Sequence, residues 1–130
     1  MKLKHFNLAL GTQILKSFSD ESRVRILHLL YKKKEMCTSD LELVLEFTQT
    51  KTSRHLTYLR NAGLVTSRKV DQWTYYALKD EVVDFVGMIY KYMDKDAILE
   101  KDLQTYQTLY NNRELAVCKL NNRKWAYSAN

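Results

Sequence analysis

QTKTSRHLTYLRNAGLV, residues 49–65, is the stretch whose reading decides the fold. Polar and basic side chains fill its first turns. Leu56 and Leu59 then recur at helical spacing, with Ala62 behind them. Gly63 stands where a helix stops in the left-handed conformation. SRKVDQWTYYALKD (67–80) follows at once. Stretches 64–70 and 73–78 are rich in Val, Thr, Tyr and Trp, so they read as two strands joined by a turn around Asp71. That turn has no glycine, which leaves its type open. A short polar helix backed by a two-stranded wing is a shape suited to the major groove of DNA.

Working outward, the 130 residues suffice for one domain with a modest core, and 45% of them are hydrophobic. Proline is absent and glycine occurs three times. Little interrupts helices, so the expected class is mainly α with a small β-hairpin. A first amphipathic helix is expected over 3–17, with Phe6, Leu10, Ile14 and Phe18 on one face. A second starts at Asp20, a good N-cap, carries Val24, Ile26, Leu27, Leu29 and Leu30, and stops in Lys32, Lys33 and Lys34. Ser39 and Glu42 fit a capping box for a third helix over 40–47. Thr48 or Thr50 caps the fourth. Helices three and four then form a helix-turn-helix. Beyond the wing, 81–93 carries a stripe of Val82, Val86, Ile89 and Met93. Segment 98–110 repeats the pattern with Leu99, Leu103, Tyr106 and Tyr110, and a last segment, 113–125, ends basic and aromatic. The expected division is a winged helix-turn-helix DNA-binding domain over 1–96 and a helical extension over 97–130.

The net charge is +6, and its placement matters more than its sum. Residues 48–79 hold Lys51, Arg54, Arg60, Arg68, Lys69 and Lys79 against the single acid Asp71. A basic patch this concentrated favours a polyanion through counterion release. The N-terminal stretch has neither a cleavage site nor a continuous apolar core, and no run approaches the ~20 apolar residues of a membrane span. Two cysteines suit a reducing compartment better than a disulfide framework, so a cytoplasmic location is expected. No Gly-rich phosphate loop, nucleophile motif or metal cluster suggests an enzyme or a cofactor.

The candidate DNA-binding residues are Gln49, Thr50, Lys51, Ser53, Arg54 and His55 on the fourth helix, with Arg68, Lys69 and Gln72 on the wing. Gln pairs with adenine in a bidentate way, Arg and Lys reach guanine, and hydroxyls bond either base or phosphate. Ser53 is expected on phosphate. His55 fits a phosphate contact or a buried or backbone-bonded histidine equally well. The wing residues suit the backbone or the minor groove. A competing use of the same patch is docking on an acidic protein without sequence-specific DNA binding.

Four stretches carry a family resemblance: SDESRVRILHLL (19–30), CTSDL (37–41), FTQTKTSRHLTYLRNAGLV (47–65) and WTYYAL (73–78). In that order they resemble the ArsR-type family of bacterial winged-helix repressors, over about residues 5–95. The resemblance implies a homodimer built from the first and the post-wing helices. It also implies a double-stranded operator and repression relieved when an effector binds. The residues add support for the dimer: the first and post-wing helices carry wide apolar stripes, and Tyr90, Tyr92, Tyr106 and Tyr110 add aromatic surface. An isologous pair would set two palindromic half-sites about 34–36 Å apart. Metal-sensing members of this family carry Cys-x-Cys at the start of the third helix, where this chain has Cys37-Thr38-Ser39 and keeps only the first thiolate. Others bind zinc through His on the post-wing helix, whereas His5, His28 and His55 all precede the wing here, leaving Asp80, Glu81 and Asp84 without an imidazole partner. No metal site is expected. Cys37 and Cys118 are the candidate effector thiols. A helix N-terminus and nearby lysines would lower the Cys37 pKa, and an inert semi-buried thiol is the competing reading.

Overall fold

The computed structural model describes residues 5–120 of the chain. Element order is α1 (Leu8–Ser17), α2 (Glu21–Lys33), β1 (Glu35–Cys37), α3 (Thr38–Leu45), α4 (Gln49–Asn61), β2 (Val65–Val70), β3 (Trp73–Leu78), α5 (Asp80–Lys91), α6 (Ala97–Asn111) and a 3-10 turn, η1 (Ala116–Leu120). The helix starts follow their caps. Asn7 accepts from the Leu10 amide at 2.7 Å, Asp20 from Arg23 at 3.1 Å, and Asp96 from both Ile98 and Leu99. The start expected at residue 3 and the basic aromatic end at 121–125 lie outside the described residues.

The expected hairpin is two-thirds of a larger sheet. Strands pair in the order β1-β3-β2, all antiparallel, with Cys37 opposite Tyr75 and Arg68 opposite the same Tyr75 on the other side. β1 is only three residues long, too short to show alternation, and it forms because β3 offers it an edge. Lys34, at φ 75, makes the bend into it. The turn between β2 and β3 is closed by Asp71 at φ 57, a conformation Asp tolerates better than most side chains.

β1 also displaces the start of α3. The helix begins at Thr38 with Cys37 as its N-cap, and no side chain caps it. The expected Ser39–Glu42 box therefore does not form. The Ser39 hydroxyl instead meets the Cys37 sulfur at 3.3 Å. α3 ends at Glu46, in the left-handed conformation at φ 59.

One core joins the elements. Ile14, Ile26, Leu27, Leu29, Leu30, Leu41, Leu56, Leu59, Leu64, Val82 and Val86 are buried in a single cluster with Leu99, Tyr106 and Leu115. The stripe of α5 runs through Val82, Val86 and Tyr90 rather than Ile89 and Met93, which are half-buried. Tyr90 is therefore core and not free aromatic surface. Its hydroxyl donates to the Val24 carbonyl at 2.6 Å, and its ring stacks on Tyr31. Gly87 makes room for that stack, since a Cβ there would lie 2.6 Å from the Tyr31 hydroxyl oxygen. Tyr106 is buried as well, whereas Tyr92 and Tyr110 remain exposed.

Leu99, Tyr106, Leu115 and Cys118, from beyond α5, contribute to this same cluster. α6 lies on α2 and α3. Arg25 donates to both oxygens of Asp102, each at 2.9 Å, and Lys33 covers the Tyr106 ring. The apolar stripe that suggested a dimer surface on 98–110 is thus largely used within its own subunit.

Candidate nucleic-acid interface

α3 and α4 are separated by Glu46, Phe47 and Thr48, and the second helix is held at both ends. The Thr48 hydroxyl accepts from the Lys51 amide at 3.1 Å, settling the choice between Thr48 and Thr50. Thr52 donates to the Thr48 carbonyl at 2.9 Å. At the other end Gly63 takes φ 87, and the Leu64 amide returns to the Leu59 carbonyl at 3.1 Å. Thr52, His55, Leu56 and Leu59 bury one face of the helix. The opposite face is fixed by that choice, because residues three and four apart share a face.

Gln49, Thr50, Ser53 and Arg54 are exposed on this outer face. Thr57, Arg60 and Asn61 continue it toward the C-terminus and are exposed too. The sequence reading stopped at the first two turns. The i+3, i+4, i+7 spacing from Gln49, Thr50 and Arg54 was the available signal for the rest. Lys51 stands at the edge of the face, half-buried, with its ammonium 4.1 Å from the centre of the Phe47 ring.

Two of the expected contacts are engaged within the fold. His55 is 3% exposed, which removes it from the outer face and decides for the buried alternative. Burial lowers its pKa, and the cations of Arg54, Arg23 and Lys51 act the same way against an opposing effect of Asp20. Arg68 is half-buried and paired within the sheet. Its Nε and Nη2 donate to the two carboxylate oxygens of Glu35 at 2.7 and 2.9 Å, tying β2 to β1 across β3. The partner strand was not foreseen, so neither was the ion pair. Lys69 and Gln72 are exposed at the wing end, beside Asp71.

Both candidate effector thiols are enclosed in this structure. Cys37 is fully buried and its thiol pKa is raised, first by that burial and then by the Asp40 carboxylate. Cys118 is buried too, its thiol 3.5 Å from the Tyr110 carbonyl. The lysines at 32–34 were expected to activate Cys37, but β1 takes it into the interior instead. Among the described residues no group of three or more His, Cys, Asp or Glu is placed to hold a metal ion. None of the described helices is long and apolar enough to cross a membrane.

Comparison with known proteins places these features in context. The family model for "Bacterial regulatory protein, arsR family" matches residues 20–67, from the cap of α2 into β2. The arsenical resistance operon repressor of Escherichia coli is 40% identical over 80 residues, 62% of this chain and 68% of the relative. The arsenic resistance transcriptional regulator ArsR1 of Pseudomonas putida is 38% identical over 78 residues, 60% of this chain. The aligned part spans 61% of that relative's length. Among solved structures, HlyU from Vibrio cholerae aligns with a TM-score of 0.61 at 32% identity, covering 68% of this chain and 96% of HlyU.

Proposed function

The chain belongs to the ArsR family of bacterial regulatory proteins, and from that premise we propose that it is a homodimeric repressor that binds a palindromic DNA operator and releases it on an effector signal. The reading rests chiefly on one observation: the exposed, acid-free face of α4 formed by Gln49, Thr50, Ser53, Arg54, Thr57 and Arg60. The N-terminal amides of α4 favour phosphate, and the side chains above them match base edges. The E. coli relative is by name an operon repressor.

A second copy of the chain would cover the apolar side chains left exposed on α1 and at the end of α5. Leu8 and Leu15 on α1 are 87% and 62% exposed, and Met88 and Tyr92 at the end of α5 are 49% and 88% exposed. Phe6, just ahead of α1, meets Phe85 of α5 edge-on at 5.9 Å, which ties the chain before α1 to α5. Burying those exposed side chains against their own image gives an isologous dimer with two α4 helices facing one side.

The test is binding to the inverted repeat nearest the reading frame, as a function of salt. Steep salt dependence is expected, because every neutralised phosphate adds about 0.9 to the slope of log K against log salt. Lys69→Ala should reduce that slope by about one unit on any duplex. A flat salt response would favour docking on an acidic protein over DNA binding.

The relatives named above are arsenic or arsenical resistance regulators, so arsenite is the first effector to try. Cys37 and Cys118 are the thiols that would receive it or an oxidant, in a form of the protein that exposes them. Replacing both with serine should abolish release by arsenite or peroxide in a gel-shift titration. Unchanged release would remove the cysteines from the mechanism.

A further inference from the structure

The sheet has two faces, and the second is closed by the C-terminal segment. Val65, Leu78 and Met36 face the main core. On the opposite face Cys37 and Tyr75 form a separate cluster with Ala116 and Leu120 of η1, and Val70 and Trp73 pack against it. Val70 and Trp73 are the last paired residues before the wing turn. Ala116 and Leu120 therefore share a cluster with Tyr75 of the wing strand β3, and Val70 and Trp73 at the outermost ladder pair flank that cluster.

The other end of η1 is tied to α3. Asp40, in the first turn of that helix, is 1% exposed. One of its carboxylate oxygens accepts from the Ala116 amide at 2.6 Å and the other from the Val117 amide at 3.2 Å. Burial raises the Asp40 pKa while these two amides lower it. Lifting η1 would break both of these bonds together. The Arg68–Glu35 pair lies on the same face of the sheet and holds its outer strands together.

We propose that residues 112–120 are a clamp that fixes the wing relative to the helix-turn-helix, with Asp40 as the positioning residue that holds it closed. A two-stranded ribbon projecting alone is only marginally ordered. The clamp gives it a third contact, and the far side of that contact is α3, the helix that packs against α4. Lys69 and Gln72 are thereby held at a set offset from Arg54. Ordering the wing before DNA arrives removes part of the entropy cost of binding.

The test compares Asp40→Asn and Leu120→Ala in the full chain with the parent protein. Amide exchange at 69–73 should accelerate about tenfold in both variants while α2 and α5 keep their protection. Operator affinity should fall about fivefold, and Lys69→Ala should cost less in either variant than in the parent. Unchanged exchange at the wing, with faster exchange at Ala116 and Val117, would overturn the clamp. Equal acceleration throughout α2 and α5 would overturn it as well, since that is loss of global stability. The consequence for affinity rests on the proposed DNA-binding role, but the exchange measurement needs no DNA. A parent protein that binds no duplex would refute that role and leave the clamp standing.

Discussion

Replacing Arg54 with alanine is expected to weaken operator binding by about 1–3 kcal/mol, roughly 5- to 150-fold in Kd, with the loss concentrated at one base-pair position in each half-site. Arg54 is exposed in the second turn of α4, on the face shared with Gln49, Thr50 and Thr57. Its guanidinium can meet the O6 and N7 of guanine as a fork, which lysine cannot do. The measurement is titration against a panel of operators substituted at single positions. A readout of guanine predicts that the variant no longer distinguishes the base at its position. A uniform loss over every sequence, with a shallower salt slope, would assign Arg54 to phosphate instead. Because the helix is anchored by Leu56 and Leu59 on its other side, the substitution should leave the unfolding free energy within about 0.5 kcal/mol of the parent.

The largest effect on stability is expected at Asp102. This carboxylate is 4% exposed and receives two hydrogen bonds from Arg25, whose side chain is 27% exposed. Asp102→Ala leaves the guanidinium facing the α2–α6 contact unpaired, which should cost about 3 kcal/mol. That is the low end for a broken buried pair, because water reaches the arginine. Urea unfolding should show a lower midpoint at nearly unchanged slope. Arg25→Met combined with Asp102→Leu should recover much of the loss, since the double replacement leaves no buried charge. If the single and double variants are equally unstable, the damage is to packing and the ion pair does not hold α6 in place. The two predictions separate cleanly: Arg54 affects binding without stability, and Asp102 affects stability ahead of binding.

Much of the interface was legible because its signals are local. Thr48, the Leu56–Leu59 spacing and Gly63 lie within sixteen residues of one another and define α4 by capping, periodicity and a left-handed stop. The strands on either side of Asp71 follow from their own composition. Asp20 at the start of α2 is of the same kind. Such features depend on neighbours along the chain, and the chain order displays them.

The surroundings that were not legible come from partners far away in sequence. Arg68 had the composition of a DNA contact, but a glutamate 33 positions earlier holds it. Cys37 had the setting of a reactive thiol, yet a strand pairing and the C-terminal turn enclose it. The stripe of α6 had the amphipathicity of a dimer helix, and Asp102 binds it to Arg25, 77 positions away. Amphipathicity says that a face will be covered and not by what, because the hydrophobic effect is non-directional.

The sequence by itself therefore determined the winged helix-turn-helix and which helix of it is polar and basic, through caps, periodicity and charge placement that act over a few residues. Only the tertiary structure decided which of those polar residues remain outside, which cysteines are enclosed, and that the chain after the wing folds back onto it. Those outcomes are set by hydrogen bonds and ion pairs between distant segments, whose geometry exists only once the core has brought them together.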